Sequence, residues 1–487
     1  MSDSWKDFGL DAAQNMLDYA QNLVSPTLRL GVTGLSRSGK TVFITSLIYH
    51  LLNRQNLPFF EPLSSGRITK VYLEPHPDDL LPRFDYEGKL ACLTASPPHW
   101  PDGTRQISQL RLTIEYNSDH LLTRTLGGNK LHLDIIDYPG EWLLDLPLLE
   151  KSYEAWCEDA ARYTSQDHHS KSARDAVAAW HKALAAANPD GPTDEGEAKK
   201  LSDKFRACLK EARAAAPDLP SIPPGRFLMP GDLEGSPALT FAPLTLSPGG
   251  IKEGTLAALM KRRFESYKEL VIRPFYRRFF TRLDRQIVLV DLLSNLNAGP
   301  EHIAHLRTTL SDILKSFNPG AQHWLTSIWN RKVDRLVFAA TKADHLHHHN
   351  HDKLQTLLAH LTHEAIERAE MQGADVKVQA LASLRTTREV EVTQNGETYE
   401  ALKGTPAKGT MFEGRIFKGD EEIFLFPGDL PEDLATALNK ASTLPELEIL
   451  NFNPPDCNKP DSPTAEPAMP HIRLDRALNM LIGDKLR

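Results

Sequence analysis

A loop near the start of the chain carries the pattern G-x-x-x-x-G-K-[ST], in which glycines, a lysine and a hydroxyl are spaced to hold a triphosphate. Gly34 and Gly39 let the backbone curl so that consecutive N–H groups point at phosphate oxygens. Lys40 would bridge the β- and γ-phosphates as a catalytic residue, and the Thr41 hydroxyl would hold Mg²⁺. The residues predicted to bind the phosphates share this loop and the start of the next helix, and are Gly34, Leu35, Ser36, Arg37, Ser38, Gly39, Lys40, Thr41 and Val42. The alternative is a glycine turn with an exposed lysine.

The elements on either side of the loop are those that a phosphate site requires. Residues 28–32 form a run typical of a short strand, and residues 41–52 form an apolar helical stretch. A strand, a glycine loop and a helix in this order open an α/β nucleotide-binding domain. The sequence therefore favours a phosphate site over a chance match to the pattern.

A second candidate segment begins where an apolar strand, residues 131–137, ends in a carboxylate. Asp137 can orient a water of a bound Mg²⁺, which prefers oxygen ligands. Gly140 is spaced so that its backbone N–H could reach a γ-phosphate. Glu141 stands where many GTPases carry a glutamine that orients the attacking water. It is either a water-positioning catalytic residue, from which slow turnover follows, or a solvated acid at a helix N-terminus.

A third segment, Thr341-Lys342-Ala343-Asp344, follows an apolar strand at residues 336–340. It resembles the N/T-K-x-D element with which GTPases select guanine. The Asp344 carboxylate can accept from the N1–H and N2–H donors of guanine, whereas adenine would leave this charge unpaired, at a cost of about 1–3 kcal/mol. The stem of Lys342 can lie on the flat base, and Thr341 replaces the commoner asparagine. The segment predicts GTP and GDP as the nucleotides.

Two further pieces of such a site have weaker candidates. Ala382 and Ser383 follow the next predicted strand, where a loop can contact the base through its backbone, although a plain strand-ending loop is the alternative. The mobile segment before the second strand needs a threonine that senses the γ-phosphate and Mg²⁺. Thr104 is the catalytic candidate there, and Thr69 and Thr94 compete with it.

A histidine-rich run directly follows the third segment. It consists of His345, His347, His348, His349 and His351. A metal site is one interpretation of such a run. The run offers no carboxylate at a matching spacing, however, so the sequence favours a solvated helix start. Arg37, inside the phosphate loop, is either an arginine that assists phosphate chemistry or a solvent-facing side chain.

The composition excludes several other classes of protein. The chain has 487 residues, and 56 basic against 64 acidic side chains give a net charge of −8, so no whole-chain field favours nucleic acid. Hydrophobic residues at 41% and charged residues at 25% indicate a folded protein. No apolar run reaches the ~20 residues of a membrane span, and the four separated cysteines form no C-x-x-C pair. A cytoplasmic protein without structural zinc or disulfides is expected.

The order of the segments predicts an α/β fold of the P-loop NTPase, GTPase-like type, with a mostly parallel sheet, a helical insertion and a small β-rich insertion. The predicted units run in chain order: an N-terminal amphipathic helix (1–27), the first part of the GTPase domain (28–144), the helical insertion (145–283), the second part of the domain (284–386), the β-rich insertion (387–430), and a C-terminal segment whose helix packs on the core (431–487). Residues 53–103 are interrupted by prolines and predict loops.

Five stretches, GLSRSGKT, DYPGEWLLDLP, RQIVLVDLLSNLNAG, TKAD and PHIRLDRALNMLIGDKLR, are similar to the YcjX-type family of bacterial P-loop GTPases, and the similarity runs end to end. The resemblance implies a stress-associated cytoplasmic GTPase. Its partners would be GTP and an unidentified protein, often a membrane protein, so a peripheral position at the inner membrane stays open. The resemblance assigns GTP binding to residues 34–41, 137–140 and 341–344. Residues 291–297 (DLLSNLN) match a family signature that either shapes the pocket or packs the sheet.

The interpretation that best joins these segments is an enzyme that binds Mg·GTP, hydrolyses it slowly and switches its insertions toward a protein partner. A P-loop kinase that passes the γ-phosphate to a small molecule is an alternative, and it would not need Asp344. A nucleotide-gated scaffold with negligible turnover is another, and it would bind nucleotide without releasing phosphate. No nucleic acid is expected as a partner.

Overall fold

The computed structural model describes most of the chain. The described residues are 26–34, 37–76, 78, 81–104, 106–118, 130–165, 171–215, 223–279, 282–317, 333–371, 373–394, 397–432, 447–457 and 469–487. The predicted N-terminal amphipathic helix, residues 1–27, lies almost entirely outside them. Leu35 and Ser36 of the phosphate loop also lie outside the described residues.

The elements of the described residues are numbered in chain order. The strands are β1 (Thr27–Gly34), β2 (Ile68–Leu73), β3 (Ser108–Tyr116), β4 (Lys130–Asp137), β5 (Arg285–Val290), β6 (Arg335–Ala340), β7 (Asp375–Ala380), β8 (Thr387–Gln394), β9 (Glu397–Gly404), β10 (Met411–Phe412), β11 (Arg415–Ile416) and β12 (Ile423–Leu425). The helices are α1 (Lys40–Asn53), α2 (Glu61–Ser64), α3 (Tyr86–Leu93), α4 (Tyr153–Thr164), α5 (Lys171–Ala186), α6 (Glu195–Ala215), α7 (Leu256–Tyr267), α8 (Arg273–Phe279), α9 (Leu292–Ala298), α10 (Pro300–Phe317), α11 (His351–Leu361), α12 (His363–Met371) and α13 (Leu474–Ile482). A long 3₁₀ segment, Gly140–Glu150, follows β4, and a π-helical turn, Lys268–Ile272, joins α7 to α8.

Seven strands form the central sheet, in the order β2-β3-β4-β1-β5-β6-β7. The strands from β4 through β1, β5 and β6 to β7 run parallel. At one edge, β3 is antiparallel to β4, and β2 is antiparallel to β3. All residues of β5 are buried, as expected for a parallel strand that helices cover on both faces. The predicted α/β fold with a mostly parallel sheet is confirmed.

Parallel pairing places the carboxyl ends of four strands at one edge of the sheet. Val32 of β1 lies beside Asp137 of β4, and Val290 of β5 lies beside Ala340 of β6. The loop after β1, the turn after β4 and the loop after β6 therefore emerge at the same edge. Ligands bind at this edge in open parallel sheets.

The stretch between β4 and β5 builds a helical unit with an aromatic core. Trp156 of α4 stacks on Phe264 of α7 with their ring centroids 5.1 Å apart, and Phe241 packs against both rings. In α6, Phe205 and Leu209 are four residues apart and fully buried, which puts them on one face of the helix. These helices occupy the stretch predicted as a helical insertion, while the boundaries of the predicted units stay predictions.

A smaller β-rich unit follows β7. Strands β8 and β9 form an antiparallel pair, β12 adds to β9, and β10 pairs with β11. Alternating short runs are typical of such strands, and the sequence places them in this stretch. Glu391 of β8 lies opposite Glu400 of β9. Glu389 of β8 and Glu400 of β9 lie 3.5 Å from the imidazole of His347, which follows β6 along the chain.

The loop prediction for residues 53–103 is wrong in part, because α2, β2 and α3 lie within this stretch. The prolines fall mostly between these elements, and Pro62 stands in the first turn of α2, where a missing N–H costs little. Strand β2 contains no proline and lies at the edge of the sheet. The pairing with β3, rather than local periodicity, makes it a strand.

Helix α13 packs into the core of the sheet domain near the end of the chain. Leu474, Leu478 and Leu481 are fully buried, in one cluster with Phe43 and Leu47 of α1. Their spacing of four and three residues puts them on one helix face. Among the described helices, none has the length and apolarity that crossing a membrane requires.

Candidate functional site

The loop between β1 and α1 has the backbone geometry that its glycines predict. A Cβ atom on Gly34 would come within 2.5 Å of the Leu289 carbonyl oxygen, so only glycine fits beside β5. Gly39, which precedes α1, has a φ angle of 86°, in the left-handed region that favours glycine. The hydroxyl of Ser38 is buried and has no hydrogen-bond partner among the described residues. Such a buried polar group fits a loop that closes around a ligand.

Two other residues of the motif do not point into this loop. Arg37 is exposed, and its φ angle of 64° places it in the left-handed region. Its side chain matches the solvent-facing alternative. Val42 is half-buried and packs against the small apolar cluster of Leu93 and Leu384, so its contribution to phosphate binding would come from its backbone N–H.

Lys40 lies inside the curl of the loop. Its ammonium donates a 2.7 Å hydrogen bond to the Gly34 carbonyl oxygen, and the residue is 8% exposed. Burial lowers the pKa of Lys40, while the nearby carboxylates of Glu141 and Asp137 act against this shift. The ammonium is therefore held close to the turn after β4, where the motif requires it.

Three hydroxyl and carboxylate groups meet beside Lys40. The Thr104 hydroxyl donates to Asp137 Oδ2 at 2.5 Å and lies 3.4 Å from the Thr41 hydroxyl. Asp137 Oδ1 is buried without a hydrogen-bond partner in the described part of the chain, and burial raises the pKa of Asp137 to about 6. These hard oxygen donors, one of them unpartnered, fit Mg²⁺. The structure thus brings together the side chains of Thr41, Thr104 and Asp137.

The threonines that competed with Thr104 lie elsewhere. The Thr69 hydroxyl donates to the Glu115 carbonyl at 3.0 Å on the outer strand β2, and the Thr94 hydroxyl donates to the Leu90 carbonyl at 3.0 Å at the end of α3. The Thr69 hydroxyl is engaged by the neighbouring strand β3, and the Thr94 hydroxyl by its own helix. Among the three, the geometry favours Thr104 as the residue that contacts a metal ion.

The turn after β4 is anchored from beneath by a buried hydrogen-bond network. Tyr138 is fully buried, its hydroxyl is hydrogen-bonded to Thr33, and the Gln286 side-chain amide donates to it at 3.0 Å. Thr33 lies in β1 and Gln286 in β5, so the network ties the turn to both neighbouring strands. This anchor fixes Tyr138, which immediately follows Asp137.

The 3₁₀ segment that begins at Gly140 contacts the helical insertion at once. Glu141 is 5% exposed, and a guanidinium nitrogen of Arg213, at the end of α6, lies 3.7 Å from its carboxylate. Gly225 packs on the backbone of Glu141, since a Cβ atom there would overlap the Glu141 carbonyl oxygen. Glu141 is therefore not the solvated acid of one sequence alternative. It is buried between the phosphate loop and the insertion.

The same 3₁₀ segment is bonded to the insertion further along. Asp145 accepts hydrogen bonds from the backbone N–H of Gly225 at 2.6 Å and from the Tyr267 hydroxyl at 2.6 Å. Burial raises the pKa of Asp145 to about 6. The Arg226 guanidinium stacks over the Trp142 ring, 3.1 Å from its centroid. The segment and the insertion therefore form one packed interface.

The loop after β6 is braced by the end of β5. The Lys342 ammonium is ion-paired with Asp291, and Asp291 also caps α9 by accepting from Ser294. The Thr341 backbone N–H donates to the Val290 carbonyl at 2.9 Å. Asp291 opens the sequence DLLSNLN, and these contacts give it a role: it positions the loop after β6.

Asp344 is buried and linked to the start of β8. Its Oδ2 accepts from the Thr386 backbone N–H at 2.7 Å and from the Thr386 hydroxyl at 2.6 Å, and its carbonyl accepts from the Thr387 hydroxyl. Ala382 pairs with Ile472, and its backbone N–H donates to the Ile472 carbonyl at 3.0 Å. That amide is therefore already engaged, and Ser383 beside it is buried.

Sequence reasoning missed Arg213, Gly225 and Thr386, which lie far along the chain from the motifs that they support. Arg213 is one of several charged residues on an amphipathic helix, and Gly225 follows two prolines in a loop-like stretch. Neither pattern predicts a contact with Glu141. Asp291 did carry a signal, since it directly follows the buried strand β5, much as Asp137 ends β4 at the same edge of the sheet. A search for carboxylates at the carboxyl end of every predicted strand would have identified Asp291.

The sheet order, the glycine loop after β1 and the aspartate that ends β4 together define a P-loop fold of the GTPase-like class. The chain belongs to the YcjX-like family (DUF463), whose model matches residues 28–486. It is 36% identical over 471 residues to a protein of Escherichia coli (strain K12) named Ras-like GTPase YcjX, covering 94% of this chain and 96% of that protein. A protein of the same name from Shewanella oneidensis (strain MR-1) is 35% identical over 483 residues, covering 94% of each chain.

Proposed function

We propose that this protein binds Mg·GTP at the carboxyl edge of its parallel sheet, hydrolyses it slowly and passes its nucleotide state to the helical insertion. One observation carries the proposal: Thr41, Thr104 and Asp137, which come from three separate segments, converge beside the buried Lys40. The loop with Asp344 emerges at the same edge of the sheet. The name of the two relatives, Ras-like GTPase, supports the same activity.

At the phosphate end, the Lys40 ammonium would exchange its hydrogen bond to the Gly34 carbonyl for hydrogen bonds to the β- and γ-phosphate oxygens. The backbone N–H groups of the loop and the start of α1 would donate to the same phosphates. Thr41, Thr104 and Asp137 would hold Mg²⁺ through their oxygens. Mg²⁺, when bound, neutralises charge on the β- and γ-phosphates.

Hydrolysis would depend on Glu141. Its carboxylate can accept a hydrogen bond from the attacking water, but unlike glutamine it donates nothing to the γ-phosphate and repels it. Arg213 lies 3.7 Å away and offsets part of this repulsion. We therefore expect turnover to be slow, and faster when a partner improves the position of Glu141.

The nucleotide state would reach the helical insertion through the 3₁₀ segment. Gly140 and Glu141 adjoin the expected position of the γ-phosphate, and Asp145 of the same segment is bonded to Gly225 and Tyr267. Loss of the γ-phosphate would release the start of the segment and shift the packing at its other end. The insertion would then present a changed surface to a protein partner. A cytoplasmic or peripheral inner-membrane place and a stress-response role follow from the family resemblance.

Guanine would be selected by Asp344. Thr386 holds one carboxylate oxygen and orients the group, so that the other oxygen faces away from the start of β8. The two oxygens together would accept from the N1–H and N2–H groups of guanine. Lys342, fixed by Asp291, would lay its aliphatic stem on the base.

The test of guanine selection is Asp344→Asn, assayed with GTP and with xanthosine triphosphate. The asparagine amide can still accept from Thr386, but it presents a donor to the base. GTP affinity should fall at least tenfold and affinity for xanthosine triphosphate should rise. Asp352→Asn, at an exposed carboxylate of α11, should change neither affinity. Equal displacement of labelled GTP by ATP and GTP from the unaltered protein would overturn guanine selection.

Phosphate release separates the proposal from its alternatives. The unaltered protein should release phosphate from GTP slowly without any acceptor, and Lys40→Ala should abolish nucleotide binding. Phosphate transfer only after addition of a small-molecule acceptor would instead indicate a kinase. Tight binding with no release over many hours would indicate a scaffold, and tight binding by Lys40→Ala would contradict the phosphate-loop assignment itself.

A further inference from the structure

Three side chains converge on one point just beyond the base-reading loop. Nδ1 of His347 lies 2.6 Å from Nδ1 of His349. Glu400 Oε2, from β9, lies 3.5 Å from Nδ1 of His347 and 3.6 Å from Nδ1 of His349. The two histidines belong to a short turn before α11, and the carboxylate comes from the β-rich unit, so the three groups meet only in the folded chain.

Carboxylates on the far side of each ring set the position of the protons. Nε2 of His349 lies 2.8 Å from Asp429 Oδ1, so it carries the proton and donates it. Nε2 of His347 faces Glu389 Oε2 at 3.5 Å. With both protons on Nε2, both Nδ1 atoms present lone pairs toward each other and toward Glu400. Three electron-rich atoms in this arrangement repel one another unless a proton or a metal cation lies between them.

We propose that His347, His349 and Glu400 bind a divalent transition-metal ion, zinc foremost. Zinc takes imidazole nitrogen and carboxylate oxygen at about 2.0–2.2 Å in a tetrahedron, which places ligand atoms about 3.3 Å apart. The two distances to Glu400 match this spacing, and the two ring nitrogens must separate by less than about 1 Å. Three protein ligands leave the fourth position for water.

The surroundings of the three ligands support the assignment. Metal-bound histidines usually donate their second ring N–H to a carboxylate, which fixes ring orientation and strengthens the ligand. Asp429 has this relation to His349. Glu389 Oε2 lies 3.5 Å from Nε2 of His347 and is hydrogen-bonded to Nδ1 of His348 at 2.9 Å. Asp429 is itself held by the side-chain amide of the buried Asn350, at 2.7 Å. The ligands therefore have a second layer of positioned groups.

The site would connect the β-rich unit to the base-reading loop. Glu400 lies in β9, which pairs with β8, and β8 follows Thr386, the residue that holds Asp344. A metal ion held by His347, His349 and Glu400 would link the chain just after the base-reading loop to the β-rich unit at a second point. The ion would thus stabilise the packing of the β-rich unit against the base-reading loop.

The test is zinc titration of the full-length protein without an affinity tag, after chelation and in millimolar Mg²⁺, which keeps hard-oxygen sites occupied. Calorimetry should show one equivalent of zinc bound at about micromolar affinity or tighter, and Co²⁺ should give the visible absorption of a tetrahedral site. Glu400→Gln should weaken zinc binding at least tenfold and abolish that absorption. His360→Gln, at an exposed histidine of α11, should leave both unchanged.

Thermal melting gives a second readout that does not depend on nucleotide. Zinc should raise the melting temperature of the unaltered protein and of Lys40→Ala, but not that of Glu400→Gln. Because Glu400 is largely exposed, its substitution is compatible with folding, unlike a change at the buried His347. Equal zinc affinity for the unaltered protein and Glu400→Gln, or no binding to either, would overturn the proposal.

Discussion

Asp137 shows how far folding changes the chemistry of one carboxyl group. The residue is 2% exposed, and burial raises its pKa to about 6, although the Thr104 hydrogen bond and the Lys40 charge act against the shift. One carboxylate oxygen accepts from Thr104, while the other lacks a partner in the part of the chain that the structure describes. A buried carboxylate with an open oxygen is stabilised by a cation, so the residue is suited to a metal ion.

Thr104→Val should weaken Mg·GTP binding about tenfold, because valine keeps the side-chain shape and removes the hydroxyl that contacts Asp137 and Thr41. Calorimetry with a non-hydrolysable GTP analogue measures this effect. Thr94→Val is the matched control, since its hydroxyl donates to the Leu90 carbonyl at the end of α3. Equal affinities for the two variants would remove Thr104 from the site.

The 3₁₀ segment Gly140–Glu150 is the element that joins the phosphate site to the helical insertion. Gly225 and Tyr267 of the insertion both donate to Asp145, which is 2% exposed. Hydrogen bonds from neutral donors satisfy this carboxyl group without removing the cost of its buried charge. The pKa of Asp145 is therefore raised from the ordinary value of 3.8 to about 6, because burial destabilises the charged form.

Asp145 of the 3₁₀ segment should make the free energy of unfolding fall as pH rises. Because native Asp145 keeps its proton to higher pH than in the unfolded chain, the free energy of unfolding should fall as pH rises from about 4 to about 6. The loss attributable to this group is roughly 2–3 kcal/mol. Asp145→Asn does not titrate, so the difference in unfolding free energy between the unaltered protein and the variant isolates the effect.

Denaturant unfolding at pH 4, 5, 6 and 7 measures this difference. Relative to Asp145→Asn, the unaltered protein should lose stability across the window and then level off above pH 6. A difference that stays constant from pH 4 to pH 7 would show that the buried carboxyl group titrates normally.

On the scale of the whole molecule, the last described helix closes the core of the sheet domain. Leu478 and its neighbours on α13 pack in the cluster that contains α1 and the central strands. Beneath the helix, the buried Arg285 of β5 donates to the Leu481 carbonyl and to Asp484, both at 3.0 Å, and pairs with Asp334. Helix α13 and the residues that follow it are therefore part of the core of the sheet domain.

Leu478→Ala should lower the free energy of unfolding by about 2–5 kcal/mol, because it leaves a cavity at a fully buried position. Arg476→Ala, at an exposed position of the same helix, should change it by less than about 1 kcal/mol. Guanidinium denaturation followed by tryptophan fluorescence provides the comparison. Similar small losses for both variants would show that α13 adds little to the core.

Much of the fold and of the phosphate site could be predicted from the chain. The glycine loop, the strands that end at Asp137 and Ala340, and the parallel sheet all produce short-range patterns of apolar and turn residues. Strand β2 could not be predicted, since it owes its structure to pairing with β3 at the sheet edge. Glu141 was ambiguous for a related reason, because burial by Arg213 and Gly225 decides its environment.

The sequence by itself determined where a phosphate site could lie, because its candidate residues lie within a few positions of one another and adjoin buried strands. Only the tertiary structure decided what surrounds those residues. Thr386 reaches its partner across 42 positions of the chain, and Asp429 reaches His349 across 80. Contacts of this kind are set by the packing of whole elements, and no local spacing of residue types encodes them.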